Sequence, residues 1–255
     1  EIITMLTAFL LALGSPLKPS HILWINLITD SLPALALGVD RSDSRRFMNR
    51  PPRPKDESLF AGGGLNCTLL YGFLIAFISM TAFLQLPISI LAAKGLPVSL
   101  ENLRTLLAAP EILARCQTYS FTVLGISQLF HAVGMRDVET SVFRMNHLAN
   151  RLMLASFALG LALQALVTEF PYFIRAFGTC HLDSSEWISL ILLASMPLIA
   201  HELLLFTPDR ILKQFHQSQQ NEQQSADPAE IGSAVGRNQP PQMRTGHHSQ
   251  RANQS

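Results

Sequence analysis

The sequence predicts an all-α membrane protein with six transmembrane helices and a disordered cytoplasmic C-terminal tail. Of its 255 residues, 48% are hydrophobic and only 15% are charged, and the mean hydropathy is +0.26. The apolar residues fall in long runs up to about residue 206, each near the roughly 20 residues that a spanning helix requires. Residues 214–255 are rich in Gln, Ser, Asn, Pro and His, too polar to form a core. We therefore divide the chain into a transmembrane domain, 1–213, and a tail, 214–255.

The apolar runs define the six spans individually. They are predicted at about 1–13, 20–38, 65–86, 118–135, 149–170 and 186–206. These lengths favour helices over barrel strands, which need only about 9 to 11 residues and alternate apolar with polar side chains.

Basic residues predict the orientation of the spans. They are concentrated after the second span, after the fourth span and at the start of the tail: Arg41, Arg45, Arg46, Arg50, Arg53 and Lys55; Arg136 and Arg144; Arg210 and Lys213. The intervening loops carry fewer basic residues for their length. By the positive-inside rule, both termini are expected in the cytoplasm of a multi-pass protein, and we expect it in the cell membrane.

Several classes of function are disfavoured by composition. The net charge of +1 gives no case for nucleic-acid binding. The three cysteines show neither zinc-ligand spacing nor the pattern of a disulfide framework: Cys67, Cys116 and Cys180. Residue 1 is a glutamate within an apolar run, without a signal-peptide layout, so we expect the sequence to be a fragment.

Polar residues in the second span point to an ion site. On an α-helix, Asn26, Thr29, Asp30 and Pro33 follow the i, i+3, i+4, i+7 pattern and are predicted to share one face. Pro33 lacks an N–H and disturbs the bond to the Thr29 carbonyl, which frees another oxygen. A carboxylate in a membrane helix defaults to a functional role. Carboxylate, amide and carbonyl oxygens are the ligands that hard cations such as calcium prefer.

One helix cannot supply the six to eight ligands of calcium, so other spans are expected to contribute. The candidates are Glu1 in the first span and Gln128, with Ser127 and His131 nearby, in the fourth. Two alternatives stay open. Glu1 could lie in water at a chain end, and Gln128 with His131 could be a packing pair.

The residues also resemble a known family. "ILWINLITDSLPALALGVD", followed by "FMNRPPRPKDESLF", resembles the sixth transmembrane helix and following loop of P-type cation-transporting ATPases, in the calcium-pump branch. The resemblance extends more weakly to "HELLLF", so residues 1–213 correspond to the fifth through tenth helices. It implies ion ligands at Glu1, Asn26, Thr29 and Asp30.

The resemblance also places Gln128 where two-site calcium pumps carry a glutamate. A neutral amide there implies one well-formed site. The Asp-Lys-Thr-Gly-Thr phosphorylation motif is absent from the sequence, so no catalytic or cofactor-binding residue is assigned, and ATP and magnesium are expected to act only through upstream domains. Those domains, in the same chain or separate, and the lipid bilayer are the expected partners.

Three functions follow from these observations. The first is the ion-translocating half of an ATP-driven pump, with calcium as the expected cation and a related monovalent or manganese specificity left open. The second is a non-catalytic membrane subunit, and the third is an ion-coupled secondary transporter in which Asp30 binds a proton or sodium.

Overall fold

The computed structural model describes residues 1–40, 64–137 and 140–206. The basic cluster at 41–55, which includes the Arg-Pro-Pro-Arg element, lies outside the described residues. So does the tail at 214–255, for which disorder stays a prediction.

Ten α-helices and three shorter helical segments make up the described residues. The α-helices are α1 (Ile2–Leu10), α2 (Pro19–Trp24), α3 (Ser31–Gly38), α4 (Gly64–Ala93), α5 (Leu100–Leu107), α6 (Pro110–Gly134), α7 (Arg151–Glu169), α8 (Pro171–Phe177), α9 (Ser184–Ala194) and α10 (Met196–Phe206). A π-helix, Ile25–Thr29, connects α2 to α3, and two 3₁₀ turns, Val142–Arg144 and His147–Ala149, precede α7. The ranges 1–40, 64–137 and 140–206 contain no strand, which confirms the all-α class.

Within the part of the chain that the structure describes, three helical segments are long and apolar enough to cross a membrane: Gly64–Ala93, Arg151–Glu169 and the segment Ser184–Leu205 formed by α9 and α10. They coincide with the predicted third, fifth and sixth spans. The other three predicted spans also fall on helices, but α1 has only 9 residues and the second span is interrupted by the π-helix. The count of six membrane spans therefore stays a prediction.

Helix α6, which carries the predicted fourth span, is the centre of the bundle. It packs against α4, α5, α7, α9, α10 and the π-helix. Every residue from Cys116 to Ser127 is buried. Because other helices surround α6, it can carry Gln, Thr and Ser side chains where a lipid-facing helix cannot.

Large apolar side chains cover much of the outside of the bundle. Phe77 on α4 is 70% exposed, Leu192 on α9 is 64% exposed and Phe9 on α1 is 80% exposed. A water-soluble surface rarely carries such large apolar patches, so this exterior is typical of a helical bundle that faces lipid or other helices.

Contacts at both ends hold the interrupted helix 19–38 in place. At its start, the ring of buried His21 lies 3.1 Å from the carbonyl oxygen of Phe177, measured from Nε2. At its end, the Asn150 amide donates to the Ala36 carbonyl at 2.9 Å. Because both halves are tied to the rest of the bundle, the irregular turn between them has a fixed position.

Candidate cation site

The π-helix Ile25–Thr29 is the local feature that shapes the site. The Asp30 N–H bonds the Ile25 carbonyl at 2.9 Å, five residues back instead of four. Such wide turns are rare and occur frequently at functional sites. The extra residue in the turn changes which side chains align.

The prediction that the four polar positions share one face is therefore wrong. Asn26 and Asp30 are exposed from the bundle on one side, whereas Thr29 and Pro33 are buried. In a turn wider than the α-helical one, residues four apart stay nearly aligned, but a residue three positions on is rotated away. Thr29 consequently points toward α6, while Asn26 and Asp30 point away from it.

Glu1, directly before α1, lies beside this turn. The Asn26 amide donates to Glu1 Oε2 at 3.3 Å. The second carboxylate oxygen, Glu1 Oε1, is buried and has no hydrogen-bond partner. Glu1 is thus half-buried against the second span instead of lying free in water. An unpartnered buried carboxylate oxygen is costly unless a proton or a cation satisfies it.

The Asp30 carboxylate is close enough to Glu1 for the two to interact electrostatically. Beyond Asp30, Pro33 offers no N–H to the Thr29 carbonyl, and the next N–H, that of Ala34, bonds the Asp30 carbonyl at 3.1 Å. Two carboxylates thus lie near the irregular backbone, as expected where a membrane helix is broken around a site.

Thr29 contributes its hydroxyl on the side of α6. Its Oγ1 lies 3.8 Å from the position that a Cβ atom on Gly125 would occupy. Gly125 thus brings the backbone of α6 close to the π-helix. Thr29 itself is only 4% exposed.

Gln128 lies one turn after Gly125 on α6. Its amide oxygen is buried and has no hydrogen-bond partner, which is consistent with a ligand and unusual for a packing residue. The two residues predicted near Gln128 make other contacts. The Ser127 hydroxyl donates to the Leu124 carbonyl at 2.9 Å, and the His131 ring packs on Tyr71 with 4.3 Å between the ring centroids. His131 therefore packs against α4.

Sequence reasoning missed Gln164, on α7. Gln164 is 2% exposed, its amide donates to the Thr122 hydroxyl at 3.2 Å, and its oxygen is buried without a partner. The available signal was a glutamine in the middle of an apolar span, where polar side chains face the bundle interior.

The available ligands are mostly neutral oxygens. Among the residues that the structure describes, no group of three or more His, Cys, Asp or Glu side chains comes together. Carboxylate oxygens of Glu1 and Asp30, with amide and hydroxyl oxygens of Asn26, Thr29 and Gln128, suit a hard cation but not a soft transition metal.

Comparison with known proteins assigns the family. The family described as "Cation transporting ATPase, C-terminus" matches residues 14–206. The chain belongs to this family. It is the carboxyl-terminal membrane region of a P-type cation-transporting ATPase of the calcium-pump branch. Asn26, Thr29, Asp30 and Gln128 lie within the matched residues, and Glu1 precedes them.

Curated relatives of this ATPase region carry consistent names. "Calcium-transporting ATPase 1" of Bacillus cereus (strain ATCC 10987 / NRS 248) is 34% identical over 207 residues, which cover 80% of this chain and 22% of the relative. "Calcium-transporting ATPase" of Bacillus subtilis (strain 168) is 35% identical over 206 residues, or 80% of this chain and 21% of the relative.

A plant relative has a similar name and covers a similar share of this chain. "Calcium-transporting ATPase 3, endoplasmic reticulum-type" of Arabidopsis thaliana is 26% identical over 215 residues, or 81% of this chain and 21% of the relative. The chain thus spans about a fifth of the length of these relatives.

Proposed function

We propose that this chain is the ion-binding and translocating half of an ATP-driven P-type pump and that its transported ion is calcium. Phosphorylation and nucleotide binding belong to domains outside residues 1–255, in the same polypeptide or in a separate one. The single observation that carries the proposal is the convergence of Glu1 and Asn26 beside Asp30 at the π-helix. The names of the relatives support calcium as the ion.

The ligands divide between two sides of the interrupted helix. On one side, Glu1 and Asp30 supply carboxylate oxygens, and Asn26 keeps its amide oxygen free because its nitrogen faces Glu1. On the other side, Thr29 faces α6, which also carries Gln128. The ligands on the interrupted helix 19–38 face both ways. A cation bound at the π-helix would therefore lie between α1 and α6.

Charge suggests the number of ions. Two carboxylates match the charge of one divalent cation, and the neutral contributors, among them Gln128, add oxygens without charge. We propose one calcium site on this basis. Upstream helices would complete the six to eight oxygens that calcium requires.

A pump of this kind is expected in the membrane with both termini in the cytoplasm. The apolar exterior of α4, α7 and α9 supports the membrane setting, and the distribution of basic residues supports the orientation.

Calcium uptake into sealed vesicles tests the proposed function. The vesicles contain the pump assembled from this chain and the phosphorylation and nucleotide-binding domains. ATP should drive uptake of radioactive calcium in the presence of ionophores that collapse proton and sodium gradients. Uptake that requires an ion gradient and ignores ATP would instead support a secondary transporter. Calcium transport that is unchanged when this chain is left out would support a non-catalytic subunit.

A further inference from the structure

Gln164 carries an unsatisfied oxygen in the centre of the bundle. The residue lies on α7 and is 2% exposed. Its Nε2 donates to the Thr122 hydroxyl of α6 at 3.2 Å, which fixes the plane of the amide. The other end of that amide, Oε1, is buried and has no hydrogen-bond partner. Leaving such an acceptor unpaired is costly, so a partner is expected in another state of the protein.

The unpaired oxygen is aimed at a gap left by Gly125. A Cβ atom on Gly125 would lie 3.2 Å from Gln164 Oε1 and 3.8 Å from Thr29 Oγ1. The two oxygens, from α7 and from the π-helix, therefore approach the same small space on α6. Any side chain larger than glycine at position 125 would occupy that space.

A threonine that binds a cation needs an acceptor for its proton. Its hydroxyl oxygen has two lone pairs and one hydrogen, so when a lone pair faces the cation the hydrogen must point elsewhere. A partner that accepts this hydrogen orients the ligand, and the loss of such outer partners typically costs about 10- to 100-fold in metal affinity.

We propose that Gln164 is a positioning residue of the cation site, whose amide oxygen accepts the Thr29 hydroxyl proton when the Thr29 oxygen binds the cation. The inference rests on the proposed function of the cation site at the π-helix and extends that site to α7, which contributes no ligand. Gly125 is part of the same arrangement because a larger side chain at this position would separate Gln164 from Thr29.

A double-mutant cycle on the assembled pump tests the proposal. Gln164→Met keeps the volume of the side chain and removes both polar atoms. We expect it to raise the calcium concentration for half-maximal phosphorylation by ATP about 10-fold or more. In a Thr29→Val background the same substitution should have no further effect, because Gln164 acts only through the Thr29 hydroxyl. Effects that multiply in the double mutant would overturn the proposal.

Two further variants make the cycle specific. Gly125→Ala should raise the half-saturating calcium concentration in the same direction, since the added methyl group displaces the Gln164 oxygen. Should Gln164→Met fail to assemble, Gln164→Asn serves in its place, because its shorter amide draws the oxygen back from Thr29.

Thr168→Val is the matched control. Thr168 is fully buried one turn further along α7, and its hydroxyl donates to the backbone carbonyl oxygens of Gln164 and Ala165, at 3.2 and 3.3 Å, so its replacement leaves the Gln164 side chain untouched. Thr168→Val should leave the calcium dependence unchanged.

Asp30→Asn, measured alongside, separates the proposal for Gln164 from the proposed function of the chain. If Asp30→Asn impairs calcium dependence and Gln164→Met does not, this proposal fails alone. If neither does, the proposed function fails.

Discussion

The Asn26 amide donates a hydrogen bond to the Glu1 carboxylate at 3.3 Å and so joins two helices through residues 25 positions apart. The other carboxylate oxygen of Glu1, Oε1, is buried and has no hydrogen-bond partner. A cation bound beside Asn26 would satisfy this oxygen.

Replacing Gln128 by glutamate should alter the ion stoichiometry. The added carboxylate would join Glu1 and Asp30, and like charges at one site are tolerated only when a proton or a second cation neutralises them. We expect Gln128→Glu to make calcium transport per ATP depend on pH, with the largest gain in bound calcium at high pH. Equilibrium calcium binding at several pH values measures this. Unchanged affinity, stoichiometry and pH profile would remove Gln128 from the site.

Gly160 allows α7 to approach α6 closely. A Cβ atom there would lie 2.8 Å from both methyl carbons of Leu129, which is 1% exposed. Glycine-to-alanine substitutions within a helix normally stabilise by up to about 1 kcal/mol. Gly160→Ala should instead destabilise by about 1 to 3 kcal/mol through overpacking, measured by thermal unfolding in detergent.

Two variants check the origin of that effect. Gly72→Ala, on α4, meets nothing closer than 4.0 Å and should be neutral or mildly stabilising. Leu129→Ala combined with Gly160→Ala should destabilise less than the sum of the two single changes. An additive result would show that the contact between α6 and α7 is not the cause.

Arg115 and Glu186 connect α6 to α9 at the other end of the bundle. The guanidinium donates to both carboxylate oxygens, at 2.7 and 2.8 Å from one nitrogen, and the Tyr119 hydroxyl also contacts this carboxylate. We expect Arg115→Leu to destabilise by about 2 kcal/mol, because hydrogen bonds to charged groups are lost. The exposed Arg151 provides the control variant, Arg151→Ala, which should change stability little.

Calcium affinity should survive the loss of Arg115. Its distance from Gly125 along α6 is 10 residues, or about 15 Å at the rise of an α-helix. Calcium-dependent phosphorylation of the surviving folded pump is the readout. A large loss of calcium affinity would show that this network, too, belongs to the ion site.

The orientation can be tested by labelling introduced cysteines in sealed cells. Basic residues predict that position 44 is cytoplasmic and that the segment after α4, which holds the 57% exposed Val98, is on the opposite side. An impermeant thiol reagent applied outside should label Val98→Cys and not Ser44→Cys, beyond the labelling of the parent cysteines. The reverse pattern would invert the topology.

The sequence indicated candidate residues for the site but not their geometry. Asp30, with Asn26 and Pro33 nearby, is chemically unusual within an apolar span, and that signal is local. The π-helix, by contrast, cannot be predicted from the neighbouring residues alone. The interrupted helix 19–38 that contains it is held by contacts of His21 with Phe177 and of Ala36 with Asn150, which are distant in sequence and which a periodic pattern does not contain.

Gln164 shows a second limit of pattern reading. A glutamine in an apolar span indicates a polar partner but does not say which helix provides it. The gap at Gly125 and the Thr122 hydroxyl answer that question, and both belong to a different helix. The fourth span, 118–135, was predicted, but the pattern did not show that α6 is surrounded by other helices.

Calcium-dependent phosphorylation of the assembled pump carrying Asp30→Asn tests the central claim most directly. The substitution keeps the size of the side chain and removes one of two carboxylates at the site. Since the loss of an outer partner alone costs about 10- to 100-fold in affinity, a lost ligand should raise the half-saturating calcium concentration by at least about 100-fold. Insertion and thermal stability should stay at the parent level. Phosphorylation with the parent's calcium dependence would contradict the assignment of Asp30 to the ion site.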